Sequence, residues 1–162
     1  MTIWRRRLEA IADGTAQLPA VVERSGLGRL MRWSEGFVEK TWEVEPAFCT
    51  GAVTEAQTLF GGYVAALADQ VLAFAAMMVL DDNRSIRTAD LRVLFFRPIT
   101  TGSVTIRGRV LNVSASLTQG NDDNTLVAKA FGVQSVRPID EASREAMARV
   151  GMRCVTAVSL TD

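Results

Sequence analysis

Apolar positions follow three different rhythms along this chain, and each rhythm predicts a different element. Residues 2–13 carry an amphipathic helical pattern that Gly14 and Pro19 break, and a second short helical piece follows over Ala20–Ser25. From Arg29 the rhythm changes. Val38, Trp42 and Val44 alternate with Glu39, Thr41, Glu43 and Glu45, the period of a half-exposed strand. With Ser34-Glu35-Gly36 as the turn, Arg29–Trp33 and Phe37–Glu45 read as a hairpin, and Pro46 ends it. A loop over 46–60 leads to Gly61-Gly62. The third rhythm is an unbroken apolar run, FGGYVAALADQVLAFAAMMVL, from Phe60 to Leu80. Its length predicts a buried helix that stops at Asp81-Asp82-Asn83. Acidic residues at that end oppose the helix dipole, so packing has to hold it.

Period-2 patterns resume after the run. Thr88–Arg97 sets Ala89, Leu91, Val93 and Phe95 against Asp90, Arg92, Leu94 and Phe96, and Pro98 and Gly102 mark a turn. Val104, Ile106 and Val110 alternate with Thr105, Arg107 and Arg109. Val113, Ala115 and Leu117 alternate with polar residues, and Gly120–Asn124 is a polar turn. Thr125–Val136 puts Leu126, Ala128, Ala130 and Gly132 on one side, small enough for a helix to lie close. Asp140 is the expected N-cap of a C-terminal helix ending at Gly151, with Met152–Leu160 as a tail. One long buried helix followed by antiparallel strands predicts an α+β fold in which a sheet wraps the helix. The divisions are a helical extension over residues 1–28, the main domain over 29–137, and a C-terminal helix and tail over 138–162.

Asp69 is the only charged residue in the apolar run. Burying even an uncompensated polar group costs roughly 2–7 kcal/mol, and an ion costs more, so such a carboxylate is either paired or used. The run is long enough to span a bilayer, but Asp69 and Gln70 near its middle and the soluble-type strands after it favour a buried central helix. Ahead of it, Gly61-Gly62 could be a simple tight turn. They also place backbone N–H groups at a helix start, where an oxyanion can be met.

Composition narrows the chemistry. The chain has 162 residues, 48% of them hydrophobic, and a formal net charge of zero from 18 basic and 18 acidic residues. That argues against nucleic acid or an acidic membrane held by bulk charge. Arg5-Arg6-Arg7 is the one basic cluster and reads as a solvated face. There is no histidine. Ser–His and Cys–His nucleophiles, His-ligated zinc and a His-based dehydratase are therefore excluded. Acid–base work falls to Asp, Glu, Lys, Tyr or Cys. Cys49 and Cys154 have no metal-site spacing, and no cofactor or metal is expected. Two lone cysteines without an apolar leader after the arginines point to reduced thiols and a cytoplasmic protein.

Gly61-Gly62, Leu67-Ala68-Asp69, and Thr88-Ala89-Asp90-Leu91 running into Phe95-Phe96-Arg97-Pro98 together resemble the hotdog-fold thioesterases of the PaaI-like, phenylacetate-pathway type. The resemblance spans roughly residues 29–137. It implies a hotdog fold: a long central helix wrapped by an antiparallel sheet, here with N- and C-terminal helical extensions. It also implies hydrolysis of an acyl-CoA thioester, homodimers or homotetramers, and sites between subunits. In that family a His-Gly-Gly motif precedes the catalytic carboxylate by nine positions from the His. Asp69 is nine after Phe60, so the resemblance makes Asp69 the catalytic carboxylate and Phe60 the occupant of the His position. Gly61 becomes the donor to the thioester carbonyl, with Gly62 beside it, and Thr88 the residue that helps hold the nucleophilic water. The family's carbonyl-side Asn or Gln falls at Thr54, with Gln57 or Thr50 as substitutes. Arg97 is a candidate for the coenzyme A phosphates. The family's Gly-Arg or Gly-Lys hairpin is shortened here, since Leu111-Asn112 runs directly into the Val113 strand.

Two functions follow. One is an acyl-CoA thioesterase in which Asp69 activates water or attacks the thioester itself, with coenzyme A entering only as part of the substrate. The other is a non-catalytic hotdog domain that binds an acyl-thioester or another apolar ligand, a reading Phe60 favours.

Overall fold

In the computed structural model, which describes residues 1–28, 32–51, 57–110, 114–119 and 125–145 of the chain, the apolar run forms one helix in the hollow of a curved sheet. We label the elements α1 (Ile3–Ala12), α2 (Ala20–Arg24), β1 (Arg32–Ser34), β2 (Phe37–Val44), β3 (Cys49–Thr50), β4 (Thr58–Leu59), α3 (Gly61–Met77), β5 (Arg84–Phe95), β6 (Gly102–Arg109), β7 (Ser114–Gln119) and β8 (Thr125–Pro138). Residues 141–145 begin a last helix. The main sheet is antiparallel throughout, in the order β1-β2-β6-β7-β8-β5, and β3 pairs with β4 as a small separate ladder. The chain enters at one edge, passes through α3, and resumes at the other edge with β5. This is the α+β hotdog arrangement expected from the sequence.

α3 is apolar around most of its circumference because it is covered on most sides. Val64, Leu67, Ala68, Val71, Leu72 and Ala75 share one core with Val38, Trp42, Val104, Ile106, Ala128 and Ala130 of the sheet. Close approach depends on missing side chains. A Cβ on Gly108 of β6 would lie 2.6 Å from Val71 Cγ1 and 3.1 Å from the Val71 carbonyl oxygen. One on Gly132 of β8 would lie 3.2 Å from Leu72 Cδ1. The small residues of β8 do admit the helix, with Ala128 and Ala130 fully buried.

The N-terminal extension packs on the core. Leu8, Val22 and Leu27 join the main cluster, and Trp4 packs with Leu80 and Ile139 at the far end of α3. Thr2 caps α1 by accepting from the Arg5 amide. Trp4 Nε1 donates to the Arg84 carbonyl at 2.7 Å. Three successive carbonyls then tie residues 26–28 down. Gly26 accepts from Trp42 Nε1 at 2.7 Å, Leu27 from Lys40 Nζ, and Gly28 from Gln70 Nε2 at 3.3 Å.

Several sequence expectations need correction. α3 ends at Met77, not Leu80, and Leu80 closes a turn back to the Met77 carbonyl. The acidic residues after it also serve neighbouring backbone. Asp82 Oδ1 accepts from the Ile3 amide at 2.6 Å, and Asp81 accepts from the Asn83 amide and pairs with Arg84. β5 begins at Arg84, four residues earlier than its period suggests, because its ladder with β8 continues to Arg84–Pro138. In β8, Leu126 is exposed and Val127 buried instead, since the pairing with β7 shifts between Leu117 and Thr118. The first hairpin forms about Gly36 (φ 64°), although residues 29–31 lie outside the described residues. Asp140 caps the last helix through the Ser143 amide at 2.7 Å, and this bond holds its carboxyl below the usual range. The expected helix end at Gly151 and the tail lie outside the described residues.

Candidate active site

Asp69 sits in the middle of α3, half-buried, facing the first half of β5. Its Oδ1 accepts a 2.6 Å hydrogen bond from Thr88 Oγ1. A strict period of two puts Thr88 on the same face as Asp90, Arg92 and Leu94, away from the helix. The structure brings it inward. The ladder pairs Thr88 with Gln134 and Asp90 with Val133, so Ala89 is an extra residue. Such a bulge switches the face a strand presents. Ile86 and Thr88 before it, and Leu91 and Val93 after it, therefore all turn toward the core side. Arg92 stays on the outer face and pairs with Asp90 at 3.1 Å.

Thr88 has a second partner. Gln134 Nε2 lies 3.3 Å from Thr88 Oγ1. A carboxylate only accepts, and a threonine hydroxyl has one proton to give. Gln134 Oε1 is nearly as close, at 3.4 Å, but with the Thr88 proton on Asp69 the contact that can form a hydrogen bond is the one donated by the Gln134 amide N–H. Nothing in the strand pattern singled out Gln134. The available signal was a polar residue closing the series Ala128, Ala130, Gly132 on the helix-facing side of β8.

The second group of residues gathers at the start of α3. Phe60 precedes the first turn in an extended conformation, with its carbonyl accepting from the Tyr63 and Val64 amides. The Gly61 and Gly62 amides lie ahead of the helix's own hydrogen-bond ladder. The chain there is anchored on both sides: the Phe60 amide donates to Phe48 O at 3.0 Å and the Leu59 amide to Ile99 O at 2.7 Å. Phe48 is itself held in an aromatic cluster with Trp42 and Tyr63, at centroid distances of 5.2 and 4.7 Å. The Phe60 ring folds against Gly62, so closely that a Cβ there would collide with it. A Cβ on Gly61 would touch Phe95 at 3.5 Å. Phe60 and Phe95 are each more than half exposed, at 52% and 57%, and give this end of the helix an apolar rim.

The remaining candidates are not brought together. Gln57 is exposed just before β4, and Thr50 lies on β3 with its hydroxyl 3.4 Å from the Thr58 carbonyl. Arg97 is exposed beyond the end of β5, its amide bonded to Val127 O. Thr54 and the shortened 111–113 hairpin lie outside the described residues. Among the described residues no three His, Cys, Asp or Glu side chains cluster as a metal site, and no helix is long and apolar enough to cross a membrane.

A buried lysine was also missed. Lys40 is fully enclosed on β2, and its Nζ donates to Leu27 O and, at 2.6 Å, to Gln70 Oε1. Burial alone pulls its pKa down to about 8. Next to it, Glu39 points to the opposite face. Burial works to raise its pKa, but hydrogen bonds from Arg32 and Arg107 outweigh that and hold it below the usual range.

The comparisons with known proteins agree with this fold. The thioesterase superfamily profile matches residues 56–119, from ahead of the glycine pair through β7. No curated protein matches the chain. Among solved structures, a phenylacetic acid degradation-related protein from Ralstonia eutropha JMP134 is 26% identical, with a TM-score of 0.66 over 82% of this chain and 98% of its own. The PaaI protein from the phenylacetic acid degradation operon of E. coli is 19% identical, with a TM-score of 0.64 over 86% and 97%. A protein from Streptococcus mutans UA159, solved bound to acetyl-CoA, is 19% identical, with a TM-score of 0.58 over 69% and 90%. The chain thus has the hotdog fold, carries over residues 56–119 a segment that matches the thioesterase superfamily, and is similar to the PaaI-like proteins.

Proposed function

We propose that the protein hydrolyses an acyl-CoA thioester, with Asp69 as the working carboxylate and the Gly61 amide as the oxyanion donor. The observation that carries this is the Thr88–Asp69 bond at 2.6 Å, built by a bulge in β5 on the half-buried side of α3. In the general-base route, Asp69 takes a proton from water as the water oxygen adds to the thioester carbon. The carbonyl oxygen becomes an oxyanion that a backbone N–H meets, and such a donor is worth roughly 3–4 kcal/mol in the transition state. Collapse breaks the C–S bond, and the proton on Asp69 passes to the leaving thiolate. In the alternative route the carboxylate adds directly, the C–S bond breaks to release the thiolate, and water then cleaves the resulting anhydride to the free acid and restores Asp69.

Helix geometry supports a site shared between two chains. Gly61 and Asp69 are separated on α3 by eight residues, or about 12 Å of rise. One thioester cannot touch both within one protomer. In this reading a second copy supplies the Gly61 amide, which makes a homodimer, and two such pairs would make a tetramer. β5, the edge strand of the described sheet, has one side without a partner strand, and exposed Phe95 stands at its end. Antiparallel pairing of two β5 strands is a closed two-fold arrangement. The Streptococcus mutans relative, which holds acetyl-CoA, supports coenzyme A as the thiol half of the substrate. The free thiol of Cys49 suits a cytoplasmic setting.

The exposed, apolar Phe60 rim favours a second reading, a domain that binds an acyl-thioester without cleaving it. A hydrolysis panel over short, medium and aromatic acyl-CoAs separates the two. The enzyme reading expects turnover by the wild type and a loss of at least about a hundredfold in Asp69→Asn, the scale of a lost general base. Equal rates in both proteins overturn the role of Asp69. Binding without turnover in either protein establishes the second reading.

A further inference from the structure

We infer that Gln134 is a positioning residue for this site, acting on Asp69 through Thr88; the inference rests on Asp69 being the working carboxylate. Three observations carry it. Gln134 stands directly opposite Thr88 in the β5–β8 ladder, at the last regular pair before the bulge. Its amide nitrogen is 3.3 Å and its amide oxygen 3.4 Å from Thr88 Oγ1, and Thr88 Oγ1 is 2.6 Å from Asp69 Oδ1, the acceptor that takes the hydroxyl proton and leaves the amide N–H as the bonding partner. Gly132, its neighbour on the same face of β8, lies beside the amide: a Cβ there would be in ordinary contact, 3.8 Å from Gln134 Nε2.

The chain of bonds has one direction. Thr88 alone could rotate its hydroxyl and give its proton to Asp69, to water or to substrate. An amide N–H directed at the Thr88 oxygen occupies a lone pair and leaves the proton pointing at Asp69. Oδ1 is then committed. Among the described residues no protein donor reaches Oδ2, so Oδ2 is the oxygen left to take the proton of water. Gln134 thus fixes which carboxylate oxygen works and how the carboxylate is turned. A glutamate at this position could only accept. It would compete for the Thr88 proton and release Asp69.

The test uses the full chain and the best acyl-CoA of the hydrolysis panel. Gln134→Leu should lower kcat about tenfold and leave KM within about twofold, because a positioning bond acts in the transition state rather than in binding. Gln134→Glu should lower kcat further. In a Thr88→Val background both substitutions should change kcat by less than about twofold, because the path to Asp69 is already cut. A purely structural role for Gln134 would cost the same in both backgrounds, and that result, or an unchanged kcat in Gln134→Leu, overturns the inference. A wild type without turnover overturns the enzyme reading instead. The bond chain is then read by NMR of the Gln134 side-chain amide. Its protons should shift in Thr88→Val, and no shift overturns the positioning role independently of activity.

Discussion

Lys40 on β2 and Gln70 on α3 meet inside the core, Nζ to Oε1 at 2.6 Å, one residue along the helix from Asp69. The two polar neighbours on α3 thus serve different sides of the fold. Asp69 faces the bulge of β5, and Gln70 joins Lys40 in holding the N-terminal extension by the carbonyls of Leu27 and Gly28.

This arrangement makes stability depend on pH in a specific window. Burial depresses the Lys40 pKa to about 8, from 10.5 when the chain is unfolded. Between those values the unfolded chain holds a proton that the native chain has released. Stability therefore rises with pH across that window, by up to about 3 kcal/mol, and is flat from this source below it. Urea unfolding at fixed protein concentration from pH 7 to 10.5 should show the rise. Lys40→Met should abolish it, and a rise that persists in Lys40→Met would assign it to another group.

Thr88→Val removes the hydroxyl at constant shape. We expect kcat on an acyl-CoA substrate to fall about tenfold with stability changed by under about 1 kcal/mol, because Thr88 is exposed and its bond acts on Asp69. Thr88→Ser should keep most of the activity. Steady-state kinetics with a parallel melting curve checks both, and a Val variant as active as wild type would refute the role.

Gly108→Ala should destabilise the fold by about 2 kcal/mol or more, as overpacking of a core does. The added methyl would sit 3.1 Å from the Val71 carbonyl oxygen, which cannot move without the helix. Gly132→Ala should cost less, because the nearest atom it meets is the end of the flexible Leu72 side chain. Val71→Ala should recover part of the Gly108→Ala loss. Equal melting points for the two glycine variants would contradict this packing account.

If the proposed site is shared between two chains, Phe95→Asp should give a monomer and lose activity in step. Phe95 is 57% exposed at the end of the edge strand and touches the Gly61 position. Sedimentation velocity at micromolar protein reads the first effect and the hydrolysis panel the second. A monomeric variant with full turnover would show that one chain suffices.

The sequence alone determined what is periodic and local. The 60–80 run predicts a helix covered on most sides, with Asp69 as its one charge. Alternation predicts the strands, and Asp140 predicts the cap of the last helix. Tertiary structure decided what depends on partners. The bulge at Ala89 is a property of how β5 pairs with β8, and it alone turns Thr88 toward Asp69. The same holds for Val127 being buried in place of Leu126. Gln134 and Lys40 looked like ordinary strand residues, because their bonds run to Thr88 and Gln70, 46 and 30 positions away. A period of two reports which face a residue takes only while the register holds. A one-residue shift moves every following side chain to the other face. Register is set by the neighbouring strand, so the helix and its carboxylate were legible in the chain, and the hydrogen-bonded path to that carboxylate was not.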